Sequence, residues 1–212
     1  MTDWCLITTL VLPACAMKGQ DAERLAGVLA QCPALVHVDL SENRIGDGGA
    51  ERLSGVLAQC PALVYLNLWS NQIGEAGAKS LAGVLPQCPA LVHLNLSDND
   101  IGEGGAESLA GVLAQCPSLT HLHLVGNDIG PAGAESFAGV LPQCTALAHL
   151  DLEYNNIGTT MGGRLQASWH GQASGLVLGE DFLDDDDEPE IYDENDDDED
   201  DFLDDVVDHD LT

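Results

Sequence analysis

The fold is decided by the stretch L-V-H-L-N-L-S-D-N-D-I-G at residues 91–102, because close copies of it occur four more times. The copies cover residues 35–46, 63–74, 119–130 and 147–158, so neighbouring copies are offset by 28 residues. A fixed period of this length is typical of a solenoid, in which each repeat packs only against its neighbours.

The first half of each repeat has the alternation of a short strand. In L-V-H-L-N-L, Leu94 and Leu96 fall on one side of the strand. His93 and Asn95 fall on the other side, which predicts that they face outward. Asn99 follows the strand, and we expect it to turn inward, where its amide can satisfy backbone groups of adjacent turns.

The second half of each repeat has the spacing of a helix, as in G-A-E-S-L-A-G-V-L-A-Q-C-P at residues 105–117. Ala106, Leu109, Leu113 and Cys116 recur on one helical face. The proline that follows the cysteine is expected to help stop the helix.

The pattern L-x-x-L-x-L-x-x-N-x-I-G, with its long helical half, resembles the leucine-rich repeat of the ribonuclease-inhibitor-like subclass. The resemblance covers about residues 5–178. It implies an α/β fold, a right-handed horseshoe with short parallel strands on the concave face and helices on the convex face. We expect about six strand turns in residues 1–158 and a C-terminal cap over 159–179. No comparable cap precedes residue 5, so either that end is exposed or the chain is a fragment.

Charge separates the last part of the chain from the rest. The formal net charge is −30, and residues 180–212 contain 20 acidic residues and no Lys or Arg. This charge density predicts a disordered acidic tail. Acidic surfaces repel nucleic acid and anionic membranes and attract basic proteins. Since no run of 18 apolar residues exists, we expect no membrane-spanning segment.

Cysteine spacing indicates packing rather than a disulfide framework. Of seven cysteines, five recur every 28 residues in the phrase Q-C-P or Q-C-T, at Cys32, Cys60, Cys88, Cys116 and Cys144. A buried Cys behaves as a small hydrophobe. Reduced thiols favour a cytoplasmic or nuclear location.

Outward positions that differ between repeats are the candidate binding residues. One row along the strands contains His37, Tyr65, His93, His121 and His149. Neighbouring positions add Asn67, Asn95, His123 and Trp69, and the loop edge adds Tyr154 and Arg44. Exposed aromatic rings among polar groups are typical of a protein-binding hot spot. The alternative is a solvated face without a ligand.

Catalytic and metal sites are not expected. The turns G-D-G-G and G-E-G-G lack the lysine of a phosphate-binding loop, and no Ser-His-Asp or Cys-His arrangement stands apart from the repeat. Adjacent histidines could bind Zn²⁺, but flat parallel ladders rarely converge on one tetrahedral point. We therefore predict no metal or other cofactor, and favour a row whose charge responds to pH.

Apolar residues interrupt the acidic tail at Phe182, Tyr192 and Phe202. Such anchors in an acidic field suit a basic partner that also has an apolar pocket. The alternative is a tail that only keeps the protein dispersed.

These features predict a monomeric, non-enzymatic scaffold that binds a protein partner. The layout of repeats followed by an acidic segment also resembles the Ran GTPase-activating proteins. That resemblance implies a small GTPase as partner and Arg44, in S-E-N-R-I-G, as a functional arginine. The acidic leucine-rich nuclear phosphoproteins are similar in layout too, which implies histone binding as a second alternative.

Overall fold

A computed structural model describes residues 6–179, in which seven strands alternate with six helices. The strands are β1 (Thr9–Val11), β2 (His37–Asp39), β3 (Tyr65–Asn67), β4 (His93–Asn95), β5 (His121–His123), β6 (His149–Asp151) and β7 (Leu176–Val177). The helices are α1 (Gly19–Leu29), α2 (Gly46–Leu57), α3 (Glu75–Val84), α4 (Gly102–Leu113), α5 (Gly130–Val140) and α6 (Thr159–Ser168). The acidic tail and its anchors Phe182, Tyr192 and Phe202 lie outside the described residues.

The strands form one parallel sheet in chain order, β1 to β7, and the sheet is not closed. Its register repeats the sequence period, since His93 pairs with His121 and Leu94 with Leu122. Helices are wider than the strand spacing, about 10 Å against about 4.8 Å, so a stack of such units curves with its strands inside. The α/β solenoid predicted from the repeat is confirmed.

An aliphatic core lies between the sheet and the helix layer. In the β4 repeat the inward residues Leu94 and Leu96 are at most 1% exposed, and Leu109 of α4 packs in the same core from the helix layer. Phe137 of α5 replaces a leucine and is also fully buried. Each such side chain contributes about 1.5–3 kcal/mol by leaving water. The core is one continuous cluster from the first turn to Leu178.

The helices end earlier than the sequence pattern predicts. α4 ends at Leu113, and Cys116 lies beyond it in a turn, where its backbone N–H donates to the carbonyl of Leu113 at 3.0 Å. The cysteine therefore belongs to a tight turn rather than to the helix. Where the repeat has L-P-Q, as at Leu85–Gln87 and Leu141–Gln143, the last turn is a 3₁₀ turn.

The asparagines at Asn43, Asn71, Asn99, Asn127 and Asn155 form a buried row that we call the asparagine ladder. Asn99 shows the full pattern. Its Nδ2 donates to the carbonyls of Leu68, Leu96 and Ser97 at 2.9–3.1 Å. Its Oδ1 accepts from the N–H groups of Asn71 and Ile73 at 3.0 and 2.9 Å. The predicted inward turn of the asparagine is confirmed, and it joins one repeat to the one before.

The first and last turns of the solenoid depart from the regular inner repeats. In the first, Leu10 and Leu12 are only partly buried against the core, and Cys15, at the ladder position, is exposed. In the last, β7 pairs with β6, and the strand ends at Val177, one residue before Leu178. Within residues 6–179, no helix has both the length and the apolar character needed to cross a membrane.

Candidate functional site

Five ring-bearing side chains stand side by side on the outer face of five consecutive strands. They are His37, Tyr65, His93, His121 and His149, and we call them the histidine row. The centroids of His37 and Tyr65 are 4.3 Å apart with planes 3° from parallel. The other neighbouring pairs are 4.3–6.1 Å apart and tilted. Parallel strands about 4.8 Å apart bring equivalent rings to stacking distance.

Three imidazoles of the histidine row, those of His93, His121 and His149, are held toward their neutral form. Burial, followed by neighbouring imidazoles, lowers the pKa of His93 and His121. Burial and then His123 lower the pKa of His149, against an opposing effect of Asp151. Burial also raises the pKa of the Tyr65 hydroxyl, with a smaller contribution from Asp39. Around neutral pH these three imidazoles and the Tyr65 hydroxyl therefore offer ring faces and neutral hydrogen-bonding groups.

Asn67 does not belong to the outward surface predicted from the sequence. It is 8% exposed, its Nδ2 donates to Asp39 Oδ1 at 3.1 Å, and its Oδ1 accepts from the Trp69 N–H at 3.1 Å. Ser41 and Ser97 at the strand ends are buried as well. Asn67 therefore has a structural role, because both ends of its amide are hydrogen-bonded, one to Asp39 of the neighbouring strand and one to the backbone of Trp69.

Asn95 remains partly exposed, as predicted, although one of its side-chain groups is occupied. Its Oδ1 accepts from the backbone N–H of Ser97 at 2.9 Å. Its Nδ2 has no hydrogen bond among those found in residues 6–179. The free end of this amide faces the same side as His93 and is available to a ligand.

Trp69 and Tyr154 lie at the loop edge but in different turns. Trp69 is partly buried, and its indole N–H donates to the carboxylate of Asp98 in the next turn. Tyr154 is 66% exposed. Three strand spacings, about 14 Å, separate their turns. Trp69 therefore groups with Tyr65, whereas Tyr154 stands apart from both.

The residue before each ladder asparagine has left-handed backbone geometry. Glu42, Ser70, Asp98, Gly126 and Tyr154 have φ of 50–61°. For residues other than glycine this conformation costs roughly 1–2 kcal/mol. The bonds of the adjacent asparagine offset that cost, so the ladder fixes where the edge side chains point.

Arg44 lies exposed on the same loop edge. Its backbone N–H donates to the Met17 carbonyl at 2.8 Å. Lys18 forms a backbone bridge with Arg44 and is also exposed. The sequence reasoning did not select Lys18, because it lies outside the regular repeat.

His123 lies next to the histidine row, as its neighbouring position in the sequence predicts, but its approach to Asp151 was not predicted. Its ring centroid is 4.8 Å from that of His149, and its Nδ1 is 3.7 Å from Asp151 Oδ2. The sequence signal is the combination of H-L-H at 121–123 with H-L-D at 149–151 in paired register. Imidazole and carboxylate groups in this arrangement are the ligand types of a transition-metal ion.

Comparison with known proteins identifies the repeat. A family model described as leucine-rich repeat matches residues 31–54, 59–82, 87–110, 115–138 and 143–160, more than half of the chain. A search of curated proteins gave no significant match. Among solved structures, 105 chains match. One is the leiomodin-1 actin-binding site 2, at 22% identity and a TM-score of 0.45. The alignment covers 49% of this chain and 61% of that chain, so less than two thirds of it is spanned.

Proposed function

Because this chain belongs to the leucine-rich repeat family, we propose that it is a non-enzymatic scaffold that binds a folded protein partner on its strand face. The observation that carries the proposal is the histidine row, a run of partly exposed rings across five strands. Proteins of this family generally act in protein–protein interaction.

The physical basis of recognition is a rigid surface of stacked rings. The backbone under the rings is fixed by the sheet, and the rings restrict one another at 4.3–6.1 Å. Little side-chain entropy is therefore lost when a partner docks. Tyr65 and Trp69 in one turn supply the large aromatic contact area from which hot spots are usually built.

Affinity capture with paired variants tests this function. The baits are the full chain, the double variant Tyr65→Ala/Trp69→Ala, and Gln59→Ala, whose exposed side chain lies in the turn after α2. We expect a partner that stays bound at high salt on the wild type and on Gln59→Ala, and is lost from the double variant. Equal retention on all three baits would contradict the assignment of the strand face.

The acidic tail is proposed to hold a basic segment of a partner, with Phe182, Tyr192 and Phe202 as apolar anchors. Support comes from the 20 acidic residues in 180–212. Binding of this kind weakens with salt, because exposed charges are screened over about 8–10 Å near physiological ionic strength. A chain ending at Gly179 should lose basic proteins, histones included, that the full chain releases at moderate salt. If the Phe182→Ala/Phe202→Ala variant retains them fully, the anchors are not used.

A GTPase regulator is the second candidate, favoured by the exposed Arg44 with Lys18 beside it on the loop edge. The six described helices have 10–12 residues each, which supports the ribonuclease-inhibitor-like subclass. The Ran GTPase-activating proteins, which this chain resembles in layout, have repeats of that subclass. On this hypothesis, Arg44→Ala abolishes stimulated GTP hydrolysis by a small GTPase while binding persists. If the wild type stimulates no small GTPase, this candidate fails.

A monomer in a reducing compartment is part of the same proposal. The five repeat cysteines are all buried in the core or its turns. This pattern supports the cytoplasm or the nucleus as the location. Sedimentation of the full chain and imaging of a tagged copy would test the two points separately.

A further inference from the structure

Two histidines and one carboxylate converge at the C-terminal end of the strand face. His123 and Asp151 are paired across β5 and β6, and His149 is two residues before Asp151 on the same outer face. At the equivalent outer position the preceding strands carry Asp39, Asn67 and Asn95. Within residues 6–179, this is the one group of three such side chains whose ligand atoms all lie within 4.8 Å of one another.

The spacing is close to what a metal ion requires. A tetrahedral ion with bonds of about 2.0–2.1 Å to nitrogen and oxygen holds its ligand atoms about 3.3 Å apart. His123 Nδ1 and Asp151 Oδ2 are 3.7 Å apart, and no ligand pair in the group exceeds 4.8 Å. The side chains of His123 and Asp151 are 35% and 17% exposed, so modest rotations about side-chain bonds can close the difference.

We infer that His123, His149 and Asp151 form a binding site for a divalent transition-metal ion of the zinc class. Three protein ligands leave the fourth position to water, as in open zinc sites with two histidines and one carboxylate. The group is better suited to a metal than to a simple ion pair. The His123–Asp151 separation of 3.7 Å is beyond hydrogen-bonding distance, and the second imidazole has no role in such a pair.

The site also has the electrostatic setting that a cation needs. The whole chain carries a net charge of −30, which raises the local concentration of cations. His121 borders the group, with its Nδ1 2.7 Å from the Thr120 hydroxyl and its ring centroid 5.8 Å from that of His149. His121 is therefore a neighbour of the group and lies outside the three residues whose ligand atoms are within 4.8 Å of one another.

Isothermal titration of the full chain with ZnCl₂ tests this site. A large excess of MgCl₂ is present throughout, because Mg²⁺ prefers oxygen ligands and occupies purely carboxylate sites without displacing zinc from imidazole. We compare the wild type with His123→Ala, His149→Ala and Asp151→Asn. The matched controls are His37→Ala, from the other end of the histidine row, and Asp39→Asn, at the position equivalent to Asp151 in β2.

We expect one zinc ion per chain in the wild type and in both controls, with affinities equal within about twofold. Each of the three ligand variants should lower the affinity by at least about 10–100-fold, the loss seen even for groups that only support a ligand. Side-chain ¹⁵N NMR should show zinc-dependent shifts for the rings of His123 and His149 and none for His37. Thermal unfolding without zinc confirms that each variant is folded.

Unchanged zinc binding in all three ligand variants would overturn the inference and assign the ions to thiols or to acidic residues. The absence of zinc binding under the Mg²⁺ excess would overturn it as well. Ring shifts spread evenly over all histidines would overturn it too. The measurement needs no partner protein. Failure of the metal site therefore leaves the proposed docking function untouched, and loss of docking leaves the metal site untouched.

Discussion

The asparagine ladder and the histidine row are both copied every 28 residues, yet they have opposite roles. Each ladder asparagine is at most 6% exposed and bonds to the preceding repeat. The rings of the histidine row are partly exposed and contact mainly one another. Repetition alone therefore does not separate a structural residue from a surface residue. The two kinds of residue are distinguished by whether the side chain makes hydrogen bonds with the backbone.

The largest expected effect is the loss of one rung of the ladder. Asn99→Ala removes five buried hydrogen bonds and leaves two N–H groups and three carbonyls without that partner. We expect the free energy of unfolding to fall by roughly 3–5 kcal/mol, since each buried unsatisfied group costs about 1–3 kcal/mol and water restores part of it. Urea denaturation followed by circular dichroism measures this loss.

Two further asparagines should lose less stability than Asn99 when they are replaced by alanine. Asn71 Oδ1 is buried without a partner, and its Nδ2 makes two bonds, so Asn71→Ala should cost about half as much as Asn99→Ala. Asn95 lies on the strand face and loses a single bond, to the Ser97 N–H, at a cost of about 1 kcal/mol. If all three variants were equally stable, the ladder would not hold the repeats together.

The five repeat cysteines are buried like the asparagine ladder, and their burial predicts slow reaction of the thiols. Burial, with smaller effects of Cys60 and Cys116, raises the pKa of the Cys88 thiol from 9.0 to about 11. The thiolate is the reactive form, so Cys88 should alkylate at least about 100-fold more slowly than the exposed Cys15 at the same pH. Iodoacetamide labelling followed by peptide mass spectrometry gives both rates. Equal rates in the native protein would mean that the repeats open readily.

Two glycines of α4 allow the same comparison between a packed position and an open position in the helix layer. A Cβ on Gly105 would lie 2.6 Å from Ile101 Cγ2 and 3.0 Å from Ala78 Cβ, whereas one on Gly111 would meet nothing within 4 Å. Gly105→Ala should therefore lower stability by about 1–3 kcal/mol. Gly111→Ala should raise it by about 0.5–1 kcal/mol, because alanine restricts the unfolded chain. Thermal unfolding of both variants checks the opposite signs, and a shared sign would contradict the packing.

The fold was predictable because its determinants are local and copied. Alternating leucines place Leu94 and Leu96 inward without knowledge of the partner strand, and five copies leave little doubt about the period. The end of each helix was less predictable. Leu113 and Cys116 fit one helical face, but the chain closes a tight turn at the cysteine, and only the backbone hydrogen bond between the two residues reveals it.

The site was only partly predictable, because exposure depends on contacts between neighbouring repeats. The pattern places Asn67 outward, yet its amide bonds to Asp39 of the preceding strand and to the Trp69 backbone, which buries it. Conversely, the sequence argument judged the histidines as one flat row. The approach of His123 to His149 and Asp151 runs diagonally between rows, so it depends on side-chain positions that spacing does not specify.

The smallest expected effect on stability is that of removing a ring from the histidine row. His93 is partly exposed, and its closest ring contact is with His121 at 4.3 Å, so His93→Ala should lower the free energy of unfolding by less than about 1 kcal/mol. Urea denaturation beside Asn99→Ala measures the difference between the two repeated rows directly. A loss as large as that of Asn99→Ala would break the comparison, since the row would then be structural. A small loss of stability together with a large loss of partner capture would assign the row to recognition, because the same ring would be dispensable for folding and needed for binding.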